Sequence, residues 1–304
     1  MNVEPLGNIG EVSNKGFELS LDVNDTALNG ALKWSVFGIY SYNKNEVLSY
    51  GTRIDPYEHT GINLNSRSIL YTDAGQPWRS FLIYNTDGIF RSQDEIDAYT
   101  WENPETGVVN KIQPNAKPGD LKFVDTNNDG KINDADRTFH GSYAPTSTYS
   151  FGGTVNFKGF DLSIMFQGVA GNYVYNGLKQ MGMNGRNDFG NLLTDVLQTW
   201  DYDNAGSKYP RLGLAEDRNG NYDKFSDIFL EKGDYLRLKN VTLGYTLPEN
   251  LFKGMPHVRV YFSADNLLTI TKYSGIDPEC GNFGVDRGLY PLTRMFTFGA
   301  NVKF

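Results

Sequence analysis

An all-β protein, with strands set as in a transmembrane antiparallel β-barrel with long loops, is the expectation from three features of this 304-residue chain. Apolar and polar residues alternate with period two along seven separate runs, which puts alternate side chains on opposite faces of a sheet. The connections between the runs are short and long by turns. Gly, Tyr and Phe are abundant, at 33, 19 and 19 residues, as glycine turns and aromatic girdles require.

The runs cover roughly 11–23, 30–43, 148–158, 159–170, 228–247, 256–271 and 290–304. In the first, Phe17, Leu19, Leu21 and Val23 oppose Glu18, Ser20, Asp22 and Asn24. In the second, Leu32, Trp34, Val36, Tyr40 and Tyr42 share a face, and Tyr149, Phe151, Val155 and Phe157 do so in the third. "FDLSIMFQ" sets Phe160, Leu162, Ile164 and Phe166 against Asp161, Ser163 and Gln167. "NVTLGYTL" sets Val241, Leu243, Tyr245 and Leu247 against Asn240, Thr242 and Thr246. Val258, Val260, Phe262 and Ala264 line the sixth run, and Phe296, Phe298, Ala300, Val302 and Phe304 the last. Most runs reach the 9–11 tilted residues that cross a hydrocarbon core.

Residues 24–29, the Lys158-Gly159 turn and residues 248–255 are the short connections; 44–147, 171–227 and 272–289 are the long ones. Short turns on one side and long loops on the other mark an outer-membrane barrel, with the short side in the periplasm. On that reading the long segments are extracellular, and Asp161, Ser163, Gln167, Asn240 and Thr242 face a lumen. A soluble β-sandwich alternates too, but has no reason to sort its connections by parity.

The net charge of −8 and a pI near 5.0 argue against nucleic acid, which needs a basic patch. Mean hydropathy is −0.46, and no apolar run is long enough for a helical span; barrel strands alternate and escape that test. Cys280 is the single cysteine, so no disulfide framework or cysteine zinc site exists. "MNVEPLGNIG" has neither the basic nor the apolar region of a signal peptide. An exported protein would then have a different native start.

"DTNNDGKINDAD", residues 125–136, matches the spacing of a calcium loop. Such loops take oxygen ligands at positions 1, 3, 5, 7, 9 and 12, with Gly at 6. Here these are Asp125, Asn127, Asp129, the Lys131 carbonyl, Asn133 and Asp136, with Gly130 in place. Asp136 stands where an EF-hand has Glu, as in a dockerin-type loop. The bland alternative is an Asn/Asp-rich turn, since both residues form Asx-turns and tolerate the left-handed region. A bound Ca²⁺ would be structural, ordering the excursion 44–147, which is far longer than ordinary loops.

Two helices are expected in the loops. "SQDEIDAY" opens with a capping box, Ser92 and Glu95. Phe189, Leu192, Leu193, Val196, Leu197 and Trp200 recur at helical spacing. For catalysis there is little: His59, His140 and His257 are scattered, without HExxH, GxSxG or a P-loop. Cys280 lacks a histidine partner, and Asp94 with Glu95 reads as a solvated helix start. Trp78, Trp101 and Trp200 beside amides and carboxylates are able to bind sugar rings, although girdles and loop packing use the same residues.

"GDLKFVDTNNDGKINDADRTFHGSYAPTSTYSFGGTVNFKGFDLSIMFQGVAGNYVYN" resembles the late barrel region of SusC/RagA-type TonB-dependent outer-membrane transporters. "NIGEVSNKGFELSL", "DGIFRSQDEIDAY", "GDYLRLKNVTLGYTLP" and "SADNLLTITKYSGIDPE" are similar to further landmarks of that family, in its order. The resemblance covers essentially the whole chain. It implies a 22-stranded barrel with an N-terminal plug and a TonB box, neither of which is present here. Seven is an odd number, whereas single-chain bacterial barrels are even-stranded, so residues 1–304 read as the C-terminal part of such a barrel.

The resemblance further implies import of oligosaccharides or peptides across the outer membrane. The implied partners are a SusD-like surface lipoprotein, the TonB complex and the barrel-assembly machinery. That machinery would read the terminal aromatic strand, Phe296, Phe298, Val302 and Phe304. The runner-up is a secreted calcium-stabilised β-sandwich that binds glycans. A carbohydrate-active enzyme lacks any recognisable acid–base pair.

Overall fold

The computed structural model describes residues 10–51, 55–59, 63–64, 67–186, 190–213, 218–248 and 257–303. All seven alternating runs are strands. They are β1 (Gly10–Ala27), β2 (Leu32–Tyr50), β3 (Ser147–Phe157), β4 (Phe160–Ala170), β5 (Tyr235–Thr246), β6 (His257–Thr271) and β7 (Met295–Lys303). They form one antiparallel sheet in chain order. The tightest turn joins β3 to β4 through Lys158 and Gly159, both at positive φ (47° and 86°), as the primed two-residue hairpin turns that match strand twist demand.

Register carries the alternation from strand to strand. Phe17 lies opposite Tyr42 and Leu19 opposite Tyr40; Tyr40 then meets Tyr149. Phe151 stacks on Phe166 at 5.1 Å, Phe160 faces Tyr245, and Phe262 faces Phe298. The result is one apolar face running across the sheet. Much of it is open to solvent: Phe17, Leu19 and Leu21 are 58%, 62% and 61% exposed.

The sheet is open, which corrects the expected barrel. Among the described residues β1 pairs only with β2, and β7 only with β6. Direction supplies the reason. In an antiparallel series the first and seventh strands run the same way, so their edges cannot continue an antiparallel ladder. A sheet that crosses hydrocarbon must leave no free edge, and this one leaves two. The transmembrane barrel, the identification of the chain as a C-terminal barrel portion, and a multi-pass place in the outer membrane are therefore not what these strands build. With the barrel go the extracellular and periplasmic sides inferred from connection length. Among the described residues no helix is long and apolar enough to cross a membrane, a statement about helices alone. Open sheets beside a separate core stand nearer to the binding-module alternative than to a closed cylinder.

That core lies in the loops. Ile69, Leu70, Phe81, Ile83, Tyr175, Met183, Phe229 and Val285 are buried together, and Tyr84, Ile89, Leu121, Phe123 and Trp200 form a neighbouring cluster. All come from the three long connections. Small sheets knit these connections into one layer. Tyr173–Asn176 pairs with Leu230–Lys232 on one side and, in parallel, with Val285–Asp286 on the other. Ser80–Tyr84 sits between Leu70–Thr72 and Arg137–Ser142. Polar groups lock the same seams: Asp227 accepts from Thr86 Oγ1 at 2.6 Å, and Gln113 Nε2 donates to Asn219 Oδ1 at 2.8 Å.

Two local expectations need adjustment. The fifth run starts at Tyr235 rather than 228, because Gly233 and Asp234 break it: Gly233 N–H goes to Asn172 O at 3.0 Å, and Asp234 accepts from Gly171 N–H at 2.8 Å. The apolar stripe of 189–200 is no amphipathic helix. Only Thr194–Gln198 turns, as a 3₁₀ segment, with Leu197 84% exposed and Trp200 buried; Phe189 lies outside the described residues. By contrast, Gln93–Ala98 is helical with Ser92 as its N-cap. Glu95 there reaches the Arg91 N–H at 2.6 Å, one residue before the expected partner.

Candidate functional site

The 125–136 loop folds around its own carboxylates. Asp125 accepts from the N–H groups of Asp129 (3.1 Å) and Gly130 (2.8 Å). Asp129 Oδ2 receives the amides of Asn127 at 3.2 Å and Asn133 at 3.1 Å, while its Oδ1 takes the Lys131 N–H at 3.0 Å. Desolvation pushes the Asp129 pKa up, but the bonds from Asn133 and Asn127 outweigh it and leave the carboxyl below its ordinary range. Gly130 has φ +81°, and a Cβ there would meet the Trp101 ring at 2.6 Å. Only glycine fits.

Asp136 is used differently. It is fully buried, and its oxygens accept from the N–H groups of Thr126 (2.9 Å) and Asn133 (2.7 Å). It thereby completes a capping box with Asn133. The side chains that gather are thus Asp125, Asn127, Asp129 and Asn133, an all-oxygen set once the amides present their carbonyls, and amide orientation is an assignment. This chemistry suits a hard cation. Among the described residues no group of three or more His, Cys, Asp or Glu side chains is arranged to hold a metal.

Asp161, Ser163, Gln167, Asn240 and Thr242 share the polar face of the sheet, although an open sheet encloses no lumen. Asp161 is opposite Gly244, Ser163 opposite Thr242 and Gln167 opposite Arg237. Arg259 Nε donates to Asp161 at 2.9 Å, and that hydrogen bond holds the Asp161 carboxyl below its usual range. Asn240 Nδ2 donates to Asp265 at 2.7 Å, while Thr242 meets Ser263 at 2.8 Å. These polar groups satisfy one another across strands. On the edge strand β7, Phe296, Phe298 and Val302 are exposed on the apolar face, and Phe304 lies outside the described residues.

Three features escape a reading of the sequence. Arg237, 2% exposed, reaches out of β5 to Asp277 at 2.6 Å and Glu279 at 2.7 Å; a lone arginine amid the apolar alternation of "YLRLKN" was the available signal. A polar cavity of about 450 Å³ opens beside Tyr71, Tyr84, Asp134, Arg137 and Lys224. A second space of about 450 Å³ lies where the start of β1 and the end of β2 meet Trp78 and Tyr143. Nothing in spacing brings those residues together; strand register does.

The histidines do not form a catalytic group. His59 is buried and bonded to Thr72 Oγ1 at 2.8 Å, with its pKa lowered by burial and then by Arg79. His140 meets Thr138. Burial pushes the Cys280 thiol up to about 12, with Asp286 adding to it, the opposite of an activated nucleophile.

No family model matches the chain. TonB-dependent receptor P3 of Formosa agariphila is 30% identical over 312 residues, covering 98% of this chain and 29% of that protein. TonB-dependent receptor SusC of Bacteroides thetaiotaomicron is 27% identical over 313 residues, covering 100% of this chain and 27% of the receptor. Among solved structures, a chain of the RagAB peptide importer in its closed-closed state superposes with a TM-score of 0.72 at 25% identity. It covers 98% of this chain and 30% of the importer chain. The chain therefore spans under a third of the relatives it matches. The chain is thus similar to part of TonB-dependent receptors, SusC among them, and to part of a RagAB importer chain. By name these relatives are TonB-dependent receptors and a peptide importer. The narrower expectation, import by a membrane-barrel fragment, is corrected by the open sheet.

Proposed function

We propose that this chain serves transport as a ligand-binding element, in which the seven-stranded sheet carries a folded loop layer that contacts cargo. The supporting observation is the similarity to TonB-dependent receptors across nearly the whole chain. The loop layer's own core supports it too, since binding surfaces are commonly loops positioned by a rigid scaffold. The cargo is an oligosaccharide or a peptide. A SusD-like surface lipoprotein is the partner proposed for the loop layer, and the TonB complex the proposed source of energy. Strand β7, with a free edge and exposed Phe296 and Phe298, is the proposed contact for an assembly factor that reads aromatic strands. Growth of a deletion strain on a panel of glycans and peptides tests the transport role. Loss of uptake of one nutrient class is expected, and uptake unchanged across the panel would overturn it.

Calcium belongs to the same proposal. Asp125, Asn127, Asp129 and Asn133 would hold the ion, which would supply a fixed positive centre to the loop. Its role would be to stiffen the layer.

A further inference from the structure

Asparagine is followed by glycine four times, at Asn29, Asn176, Asn184 and Asn219, and the fold treats one of these pairs differently. A glycine there leaves its backbone nitrogen unscreened by a Cβ, so that it can approach the asparagine side-chain carbonyl closely. Three of the pairs are held away from that encounter. Asn176 is 1% exposed; its Oδ1 accepts the Lys179 N–H at 3.0 Å and its Nδ2 donates to Glu231 at 3.0 Å. Asn184 accepts the Arg186 N–H at 3.0 Å and donates to Asp223 at 3.0 Å. Asn219 accepts from Gln113 at 2.8 Å and donates to Asn221 Oδ1 at 2.8 Å. Each of these amides is buried with both of its ends engaged.

Asn29 sits at the tip of the β1–β2 hairpin, where Ala27 and Leu32 are the last paired residues. Leu28, Asn29 and Gly30 all have positive φ, at 52°, 54° and 86°, a left-handed run that strains the bulky Leu28. Asn29 is exposed, and among the described residues its amide has no hydrogen-bond partner. The space around Gly30 is open, with nothing within 4 Å of where a Cβ would stand. The restraint on the Gly30 nitrogen is the turn bond from its N–H to Ala27 O at 3.1 Å. Such a bond at an exposed hairpin tip opens far more readily than one inside a core.

We infer that Asn29 is a site of spontaneous covalent modification, with water as the co-reactant. The Gly30 nitrogen gives its proton to solvent and bonds to Asn29 Cγ; the Cγ–Nδ2 bond breaks, and ammonia leaves with a proton from solvent. Water then opens the resulting cyclic imide at either carbonyl, giving aspartate or isoaspartate, with nothing oxidised or reduced. Either product adds a negative charge to the turn at neutral pH. Isoaspartate also routes the main chain through the side-chain carbon and so lengthens it by a methylene, in a hairpin whose loop length sets its register. Among the described residues β1 is held to the sheet by β2 alone, so the altered turn loosens the edge strand that it anchors.

The inference is independent of the transport reading. The full chain is incubated in mildly alkaline heavy-oxygen water, folded and in urea, and each Asn-Gly pair is followed by peptide mass spectrometry. In the folded chain Asn29 is expected to lose its amide and take up label tenfold or more faster than Asn176, Asn184 or Asn219. Tenfold protection asks only about 1.4 kcal/mol of local opening energy at the buried pairs. In urea, where burial is gone, the four rates should fall within threefold of one another. Isoaspartate at position 29 should speed amide exchange from Val23 to Ala27 threefold or more relative to Asn29→Asp, which carries the same charge without the added methylene. The native chain carries the main measurement, so no variant has to fold for it. Equal rates at the four pairs in the folded chain, or faster reaction at a buried pair, overturn the inference. So does a lead for Asn29 that persists undiminished in urea, since the sequence and not the fold would then set it. Exchange in β1 no faster than in the Asn29→Asp chain overturns the consequence for the strand.

Discussion

Arg237, inside the sheet, and Asp277, in the last long connection, meet at 2.6 Å. With Glu279 at 2.7 Å and Thr269 at 2.9 Å, the guanidinium is enclosed on three sides. Asp277 also accepts the Leu292 N–H at 3.1 Å, so this contact sets where the connection leaves the layer and where β7 begins.

Removing one partner of a buried ion pair strands the other, at a cost of about 3–5 kcal/mol. Asp277→Asn is expected to lower stability by that order. Glu279→Gln should cost much less, because the Glu279 side chain is 45% exposed. Urea denaturation of both variants compares them, and equal small losses would refute the ranking.

Calcium should raise the thermal midpoint of the native chain, and chelator should lower it. A ligand that binds only the folded state stabilises by about 2.7 kcal/mol at a hundred times its dissociation constant. Asp129→Ala should abolish the response. Identical calorimetric traces with and without calcium would rule the ion out.

Gly130→Ala places a Cβ against the Trp101 ring at φ +81°. Strain and the ring's displacement together should cost about 1–3 kcal/mol. Gly75→Ala, also at positive φ but with open space around it, should cost less. Thermal melts of the two variants separate packing from backbone strain.

Burial, with Asp286 adding to it, pushes the Cys280 thiol up to about 12 in the folded chain, from about 8.5 for an ordinary thiol. Between those values the folded state binds more protons than the unfolded, so stability falls as pH rises through that window. At pH 8 a disulfide reagent should label the native thiol slowly and the urea-unfolded thiol quickly. Equal rates would contradict the burial argument.

Much of this was legible in the residues themselves. The alternation located all seven strands, the Lys158-Gly159 pair its hairpin, Ser92 its cap and Gly130 its left-handed corner. Closure was not legible, because face alternation and connection length say nothing about which edges meet. The stripe from Leu192 to Trp200 misled since 3–4 spacing also serves an irregular segment that drops single side chains inward. Asn14 and Trp78 are brought together through Asn45, which lies opposite Asn14 and accepts the Trp78 N–H at 2.7 Å, a contact between distant segments that no local pattern announces.

The seams of the loop layer join residues made far apart in time. Gln113 awaits Asn219, 106 positions on, and Thr86 awaits Asp227, 141 positions on. At ribosomal speeds the first interval is roughly 5–20 s. Through that wait the nascent chain holds out Phe81, Ile83, Leu121 and Phe123 before Trp200, Phe225 and Phe229 of their clusters are made. Synthesis in a cell lacking a holding chaperone should then favour clumping over yield, whatever stability the finished molecule attains.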